Sequence, residues 1–344
     1  MGGQQRRIAA LADGLGDRFH HRVLALDGDL SALGLIKAQH RVEARPLRIA
    51  KSRTINLRNL RALRRAIAGA DLLCTYNWGS LEAAIANKLP PRIPHVHYED
   101  GFGPDEAGGR QLPRRVAMRR LVLARTIVAT PSATLRVVAT DSWRLSKDRV
   151  VQLPLGVDTA SFAFERDYDR TPPVIGSVGS LRAEKNYPRL IRVVAALKGA
   201  GGLEIFGDGP ERATLSGLAH EGVSLMGATT RTDLALRRFD IFALSSDTEQ
   251  APISLMEAMA SGLPVVAPAV GDIAKMVSEP NRRFIAPAGD ERALGESLQA
   301  LIDDPAARRA LGRANADAAV EKFGAEAMIE ANLNLFERAM AERA

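Results

Sequence analysis

Short aliphatic runs alternate with longer segments of helical spacing along the first half of the chain. A run of four to eight β-branched or aliphatic residues between turn-forming residues is typical of a buried strand. The strands predicted in this half are residues 21–27, 70–77, 92–98 and 125–131. Helix-length segments between strands indicate crossover connections and a parallel sheet.

The same alternation occurs again in the second half. Its predicted strands are residues 173–180, 203–209, 222–227, 239–246 and 263–269. The predicted fold class is therefore α/β, with two doubly wound Rossmann-like domains. Residues 325–343 carry apolar positions at helical spacing, which predicts a long closing helix.

A polar segment without helical periodicity, residues 156–173, ends in two prolines and has the composition of a linker. We therefore predict an N-terminal domain at 1–163, a second domain at 164–324, and a closing segment at 325–344 that packs back toward the N-terminal domain. In open α/β sheets, ligands bind outside the carboxyl ends of the strands. Two such domains facing across a cleft would place a ligand site there.

Composition places the chain among ordinary globular proteins. It has 344 residues, 46% hydrophobic and 25% charged, which suits two soluble domains. No apolar run approaches the roughly 20 residues of a membrane span, and the first residues lack the apolar core of a signal peptide. The single cysteine, Cys74, offers no disulfide and no thiolate cluster for zinc. We expect a cytoplasmic protein without a bound metal.

Positive charge is concentrated in the first half. Residues 1–160 contain 26 Lys and Arg against 14 Asp and Glu, and the remainder contains 21 against 26. Residues 110–125 contribute four arginines predicted to share a helix face: Arg114, Arg115, Arg119 and Arg120. Such a face can attract the anionic inner surface of a membrane, or it can be an ordinary solvated face. No aromatic residues alternate with the arginines, so a nucleic-acid partner is not expected.

Residues 247–261, DTEQAPISLMEAMAS, contain two glutamates eight positions apart. The preceding strand ends before Glu249, and Pro252 suits the first turn of a helix that carries Glu257. The backbone N–H groups near Pro252, Ile253 and Ser254 would then lie between the two carboxylates and favour an anion.

Cations occur at the matching place in the first strand–loop–helix unit of the same domain. Arg182 and Lys185 follow a strand and the glycine turn at Gly179. Carboxylates accept hydrogen bonds from hydroxyl groups, and cations bind phosphate oxygens. A ligand with both hydroxyls and a diphosphate is a nucleotide sugar.

Three segments within residues 173–270 resemble the C-terminal domain of the retaining GT-B glycosyltransferases of family 4. They are VGSLRAEKNYPRLIRVVAAL (178–197), LEIFGDGPERATLSGL (203–218) and TEQAPISLMEAMASGLPVVA (248–267). The family signature is a glutamate, seven arbitrary residues, and a second glutamate.

The resemblance implies a role for each charged residue of the candidate site. Arg182 and Lys185 would hold the diphosphate of a UDP- or GDP-linked donor, Glu257 the ribose, and Glu249 the transferred sugar. It further implies a metal-independent reaction with retained anomeric configuration. A glycan or lipid-linked acceptor, as in bacterial envelope polysaccharide synthesis, would receive the sugar.

Two features depart from the family. Gln250 and Ala251 stand where the family has Gly and an aromatic residue, which leaves the donor sugar undetermined. The family's first strand has no counterpart before the helical pattern of Ile8, Leu11 and Leu15, so strands 21–27 and 70–77 should lack their shared neighbour. We read this as a misplaced start codon or a fragment, with Gly2 and Gly3 marking where donor phosphate approaches.

The first domain offers further candidates in residues 94–109. His97 matches the family histidine that reaches the donor sugar, and its alternative is a structural histidine. His95 should point to the same face. Glu99 and Asp100 are candidates for acceptor hydroxyls or for capping a turn.

Some motifs admit two interpretations. Gly207 and Gly209 fit either a turn or a close approach of backbone to the nucleotide. Asp27 and Asp29 resemble the aspartate pair with which another glycosyltransferase fold binds manganese, although a surface turn is the simpler interpretation. A nucleotide-sugar epimerase on the same fold, or a non-catalytic sugar- or nucleotide-binding protein, are the alternative functions.

Overall fold

A computed structural model describes residues 3–28, 30–37, 42–47, 49, 56–102, 106 and 111–342 of the chain. The chain divides into two compact units, residues 1–102, 111–154 and 326–344 in one and residues 103–110 and 155–325 in the other. The sequence placed the boundary at 163. The structure places it nine residues earlier, because the segment from Leu155 packs into the second unit.

The first unit contains two separate parallel sheets within the described residues. Its strands are β1 His21–Ala25, β2 Val42–Pro46, β3 Leu73–Tyr76, β4 His95–Tyr98, β5 Ile127–Thr130 and β6 Val150–Gln152. Strands β1 and β2 form one sheet, and β3–β4–β5–β6 form the other. No ladder joins β1 to β3 in the described part of the chain, which agrees with the predicted lack of a shared neighbour.

Helices cover these sheets. They are α1 Gly3–Gly14, α2 Leu57–Ile67, α3 Leu81–Ala86, α4 Pro113–Leu123, α5 Ala133–Val137 and, from the end of the chain, α14 Ala325–Ala341. Helix α14 packs Met328, Leu335 and Phe336 against Tyr98 of β4. The Tyr98 hydroxyl donates to Asn332 Oδ1 at 2.6 Å, so the closing helix is fixed to the four-stranded sheet of the first unit.

The second unit has one six-stranded parallel sheet. Its strands are β7 Ile175–Val178, β8 Leu203–Phe206, β9 Val223–Gly227, β10 Ile241–Ala243, β11 Val265–Pro268 and β12 Ile285–Ala286. The spatial order β12–β11–β10–β7–β8–β9 is the doubly wound Rossmann order. Sequence patterns predicted five of these strands, whereas two-residue β12 is too short to give a pattern.

The helices of the second unit lie on both faces of the sheet. They are α6 Thr159–Phe162, α7 Tyr187–Ala195, α8 Arg212–Leu218, α9 Thr232–Leu236, α10 Ile253–Ala260, α11 Ile273–Met276, α12 Glu291–Asp303 and α13 Pro305–Phe323. Alternating side chains of β10 supply two cores, Phe242 on one face and Ile241 and Ala243 on the other. This two-sided burial explains the continuous apolar run of residues 241–244.

Candidate functional site

The predicted donor residues follow two strands that are neighbours in the sheet. Strand β10 pairs with β7 through Ile241 with Ile175 and Phe242 with Gly176. The chain leaves β7 toward β8 on one side, whereas β10 continues toward β11 on the other. The loops after β7 and β10 therefore diverge at the topological switch point, which is where ligands bind in this architecture.

The loop after β7 carries the predicted cations. Arg182 precedes a 3₁₀ turn, Ala183–Lys185, and its side chain is 58% exposed with Nη1 3.9 Å from Glu184 Oε1. Asn186 ends the turn in the left-handed conformation (φ 45°, ψ 47°), and its Oδ1 accepts from the Arg189 amide to cap α7. Arg182 thus presents a largely solvated charge at the strand end, while Lys185 is only 20% exposed.

The loop after β10 brings Glu249 to Lys185. Lys185 Nζ donates to Glu249 Oε1, and the Ser246 hydroxyl donates to the same oxygen at 2.8 Å. The sequence predicted that these two charged residues share a site, and the structure places them in direct contact. It did not predict Ser246, for which its place three residues before Glu249 was the available signal.

Helix α10 begins at this loop. Pro252 is its N-cap, in an extended conformation (φ −66°, ψ 122°). Within the described residues, the backbone N–H groups of Ile253 and Ser254 donate to no acceptor. Glu257 lies one turn further along the helix face of Ile253 and is 3% exposed. The arrangement offers two backbone donors to an anion, with a carboxylate on each side of them along the chain.

A set of hydrogen bonds joins the two loops and was not predicted from the sequence. The Asp247 amide donates to Glu184 O at 2.9 Å, and the Ser245 hydroxyl donates to Lys185 O at 2.9 Å. Arg189 of α7 donates to Ser245 O at 2.9 Å and lies 2.8 Å from Asp247 Oδ1. The relative position of Lys185 and Glu249 is therefore fixed by the backbones of both loops.

Glycines allow these loops to approach each other. A Cβ at Gly207 would collide with the carbonyl oxygen of Gly179, and one at Gly209 with that of Leu181. The sequence offered a turn or a nucleotide contact for this pair; the structure shows a close approach to protein backbone, and the nucleotide contact stays a prediction. Gly207 and Gly209 are therefore needed for packing against fixed backbone, whereas a Cβ at Gly179 would lie 2.7 Å from the Tyr187 hydroxyl and displace that side chain.

In the first unit, His97 is a buried residue of strand β4 in the four-stranded sheet. Its side chain has no exposed surface. Its Nδ1 lies 2.8 Å from Thr75 Oγ1, and its Nε2 lies 3.5 Å from Glu99 Oε2. Thr75 Oγ1 is also 2.7 Å from His95 Nε2, and burial lowers the pKa of His95 well below its usual value. The predicted contact of His97 with a donor sugar stays a prediction.

Glu99 forms a buried ion pair instead of facing solvent. Its Oε2 accepts from Arg119 Nε at 3.1 Å, and both side chains are 1% exposed. The Arg119 guanidinium lies 4.7 Å from the ring centre of Trp143, with Trp78 and Phe102 also within cation–π distance. The acceptor-side candidate Glu99 therefore neutralises a buried arginine.

The prediction that Arg119 belongs to the basic helix face of residues 110–125 is wrong. Helical spacing does place Arg119 beside Arg115, but Arg119 turns inward to Glu99 and the aromatic rings. Arg115 is half-buried, 5.1 Å from the ring centre of Trp78. Arg114 and Arg120 of α4 remain exposed.

Asp100 is held at the carboxyl end of β4. It forms an ion pair with Arg7 of α1, which also lies 5.0 Å from the ring centre of Tyr98. The Asp100 amide donates to Asn77 Oδ1 at 2.7 Å. Gly3 is the first residue of α1, and Gly2 lies outside the described residues.

The described residues form neither a metal-ligand cluster nor a membrane-spanning helix. Across the described ranges, no three His, Cys, Asp or Glu residues gather as metal ligands. Asp27 lies exposed in the turn after β1, and Asp29 is outside the described residues. Among the helices of the described part, none is long and apolar enough to cross a bilayer.

Family models match both halves of the chain. Residues 1–161 match the model described as "Glycosyltransferase Family 4", and residues 159–317 match "Glycosyl transferases group 1". The two matches together extend from the first residue to within α13.

Two curated relatives are named as a glucosyltransferase and a mannosyltransferase. The chain is 27% identical over 229 residues to the 2-deoxystreptamine glucosyltransferase of Streptomyces kanamyceticus, covering 64% of this chain and 59% of the relative. It is 35% identical over 150 residues to a GDP-mannose-dependent alpha-mannosyltransferase of Mycobacterium tuberculosis, covering 41% and 39%. The chain thus spans less than two thirds of the length of these relatives.

Solved structures show the same fold. Anabaena HepE in complex with UDP-glucose superimposes with a TM-score of 0.82 at 17% identity, covering 97% of this chain and 96% of that one. The fold is therefore that of the two-domain GT-B glycosyltransferases. The two family matches, which together cover residues 1–317, show that the chain belongs to the family 4 glycosyltransferases.

Proposed function

We propose that the protein transfers a hexose-type sugar from a nucleoside diphosphate donor, UDP- or GDP-linked, to an acceptor. The observation that carries this proposal is the convergence of Lys185, Glu249 and the amides of Ile253 and Ser254 at the switch point of the second unit. Relatives named as a glucosyltransferase and a GDP-mannose-dependent mannosyltransferase support a nucleotide-sugar donor.

The site divides into an anion-binding part and a hydroxyl-binding part. Lys185, Arg182 and the start of α10 would bind the diphosphate, because cations and unpaired helix amides both stabilise phosphate oxygens. Glu249 would accept hydrogen bonds from the sugar, and Glu257 from the ribose. Arg182, whose side chain is 58% exposed, can turn to a phosphate at little cost.

We propose that the anomeric configuration is retained and that no metal ion takes part. The family resemblance supports retention. The positive charge that a metal would supply to the leaving diphosphate is available from Arg182 and Lys185. Turnover should therefore persist in EDTA, and NMR of the first-formed product should show the donor's anomeric configuration.

The proposed acceptor is a glycan or a lipid-linked glycan of the bacterial envelope. The exposed face of α4 supports contact with a membrane surface, because Arg114 and Arg120 are exposed beside Leu121, whose side chain is 73% exposed. Cations flanking an exposed apolar side chain suit a surface of anionic lipids.

A donor panel tests the proposal. Release of nucleoside diphosphate is measured for the full chain with UDP-glucose, GDP-mannose and other UDP- and GDP-hexoses, with and without simple glycoside acceptors. For the preferred donor, Lys185→Ala should lower kcat/KM about tenfold to a hundredfold, the effect of losing a charge-assisted hydrogen bond.

The matched control is Lys198→Ala, an exposed lysine beyond the end of α7 in the same unit. It should leave turnover unchanged. Equal turnover by Lys185→Ala and the wild type would refute the site. Absence of turnover with every donor would refute the transferase proposal, and turnover that isomerises the donor without an acceptor would favour an epimerase.

A further inference from the structure

The two side chains expected to bind different parts of the donor are bonded to each other. Lys185 Nζ donates to Glu249 Oε1, with the lysine 20% and the glutamate 9% exposed. Because the pair is largely shielded from solvent, its attraction is screened less than that of a surface pair. A phosphate that approaches Lys185 must compete with this carboxylate.

The pair is also preorganised. Ser246 donates to the same Glu249 oxygen at 2.8 Å, while Arg189 and Asn186 hold Asp247, two residues earlier, at 2.8 and 3.0 Å. Little side-chain entropy is therefore lost when Lys185 and Glu249 meet. The competition with phosphate persists, since the loop cannot easily move Glu249 away.

We propose that Glu249 discriminates the sugar-bearing donor from the nucleoside diphosphate product by competing for Lys185. This inference rests on the proposed function. When a donor binds, its phosphates take Lys185 and its sugar hydroxyls take Glu249, so both charged groups exchange one partner for another. When the product binds, its phosphates take Lys185 but nothing replaces the lysine at Glu249.

The product therefore bears a cost that the donor does not. Phosphates lie near the Glu249 carboxylate in both complexes, but only in the product complex do no sugar hydroxyls replace its lost cation, which is unfavourable in a partly buried site. Once the sugar has left, re-formation of the Lys185–Glu249 pair favours departure of the nucleoside diphosphate. The same carboxylate thus serves sugar binding and product release.

The test is the affinity of the full-length protein for UDP and for GDP, without sugar, measured by isothermal titration calorimetry. Glu249→Gln should bind the preferred nucleoside diphosphate about threefold to tenfold more tightly than the wild type. This factor corresponds to the loss of a partly exposed ion pair that competes with the phosphate and of the repulsion between carboxylate and phosphate. The affinity of this variant for the matching nucleotide sugar, UDP-glucose or GDP-mannose, should increase by a smaller factor or decrease.

Glu221→Gln is the matched control. It makes the same change at an exposed glutamate of the second unit that lies in the turn before β9, outside both loops, so the affinity for the diphosphate should stay that of the wild type. Thermal unfolding of both variants shows that they are folded before titration.

Two results would overturn the inference, and they are distinguishable. If the wild type binds UDP or GDP and Glu249→Gln binds it no more tightly, the competition does not exist while the proposed function stands. If the wild type binds neither nucleotide, the proposed function fails and the inference fails with it.

Discussion

The guanidinium of Arg119 lies within a ring of three aromatic side chains, with Glu99 as its carboxylate partner. A charge in such a place is stable only while its counterion remains, because desolvation of either ion costs several kcal/mol. The helical spacing of α4 could be predicted from the sequence, but the inward turn of Arg119 could not. It depends on Trp143 and Phe102, which are distant from it along the chain.

Removing either partner of this pair should destabilise the first unit. Glu99→Gln or Arg119→Met should lower the free energy of unfolding by about 3–5 kcal/mol, because each leaves a buried charge without a counterion. The double variant should lose less than the sum of the two single variants. Urea denaturation followed by tryptophan fluorescence gives these free energies.

Glu296→Gln is the control for this experiment. It breaks an exposed pair with Arg292 and should cost about 0.5 kcal/mol or less. A loss below about 1 kcal/mol for both Glu99→Gln and Arg119→Met would show that the buried pair does not stabilise the fold as described.

At the scale of elements, the loops after β7 and β10 act as one unit. The sequence predicted that each loop follows a strand and that their charges share a ligand, because the carboxyl ends of parallel strands meet at one edge of a sheet. It could not predict the left-handed Asn186 or the bonds from Arg189 to Ser245 and Asp247. Those contacts depend on which strands become neighbours, which is a property of the whole sheet.

Arg189→Met should loosen the second loop without removing any proposed ligand group. Ser245 O and Asp247 each lose a cationic donor, so we expect kcat/KM for the preferred donor to fall about tenfold, as for the loss of a charge-assisted hydrogen bond. Hydrogen exchange at the Asp247 amide, which donates to Glu184 O, should become faster.

Arg192→Met provides the comparison one turn further along α7. Arg192 is exposed and pairs with Glu291 rather than with the loop, so this variant should match the wild type in turnover and exchange. If Arg189→Met lowered only the melting temperature, with unchanged turnover and local exchange, Arg189 would support the fold and not the site.

At the scale of the whole molecule, the alternation of strands and helices was sufficient to predict two parallel α/β units and the closing helix. The strands that the pattern missed are β2, β6 and β12, of which β6 and β12 have only three and two residues. Strand β2, Val42–Pro46, carries charged residues and a proline at its end, which conceals its alternation. Within the described residues, β1–β2 and β3–β6 form two separate sheets.

The candidate site was predicted more completely in the second unit than in the first. In the second unit the candidate donor-binding side chains directly follow β7 and β10, so their place at the edge of the sheet can be predicted from their order in the sequence. In the first unit His97, Glu99 and Asp100 also follow a strand, but their partners Thr75, Arg119 and Arg7 come from other elements. Those tertiary contacts decide which side chains remain accessible, and no local pattern encodes them.

A crystal structure of the protein with UDP or GDP, compared in a difference map with crystals grown without nucleotide, tests the proposed donor site directly. We expect diphosphate density within hydrogen-bonding distance of Lys185 Nζ and of the Ile253 and Ser254 amides, with the ribose at Glu257. Diphosphate density elsewhere, with Lys185 and Glu249 still bonded to each other and the start of α10 free of phosphate, would contradict it.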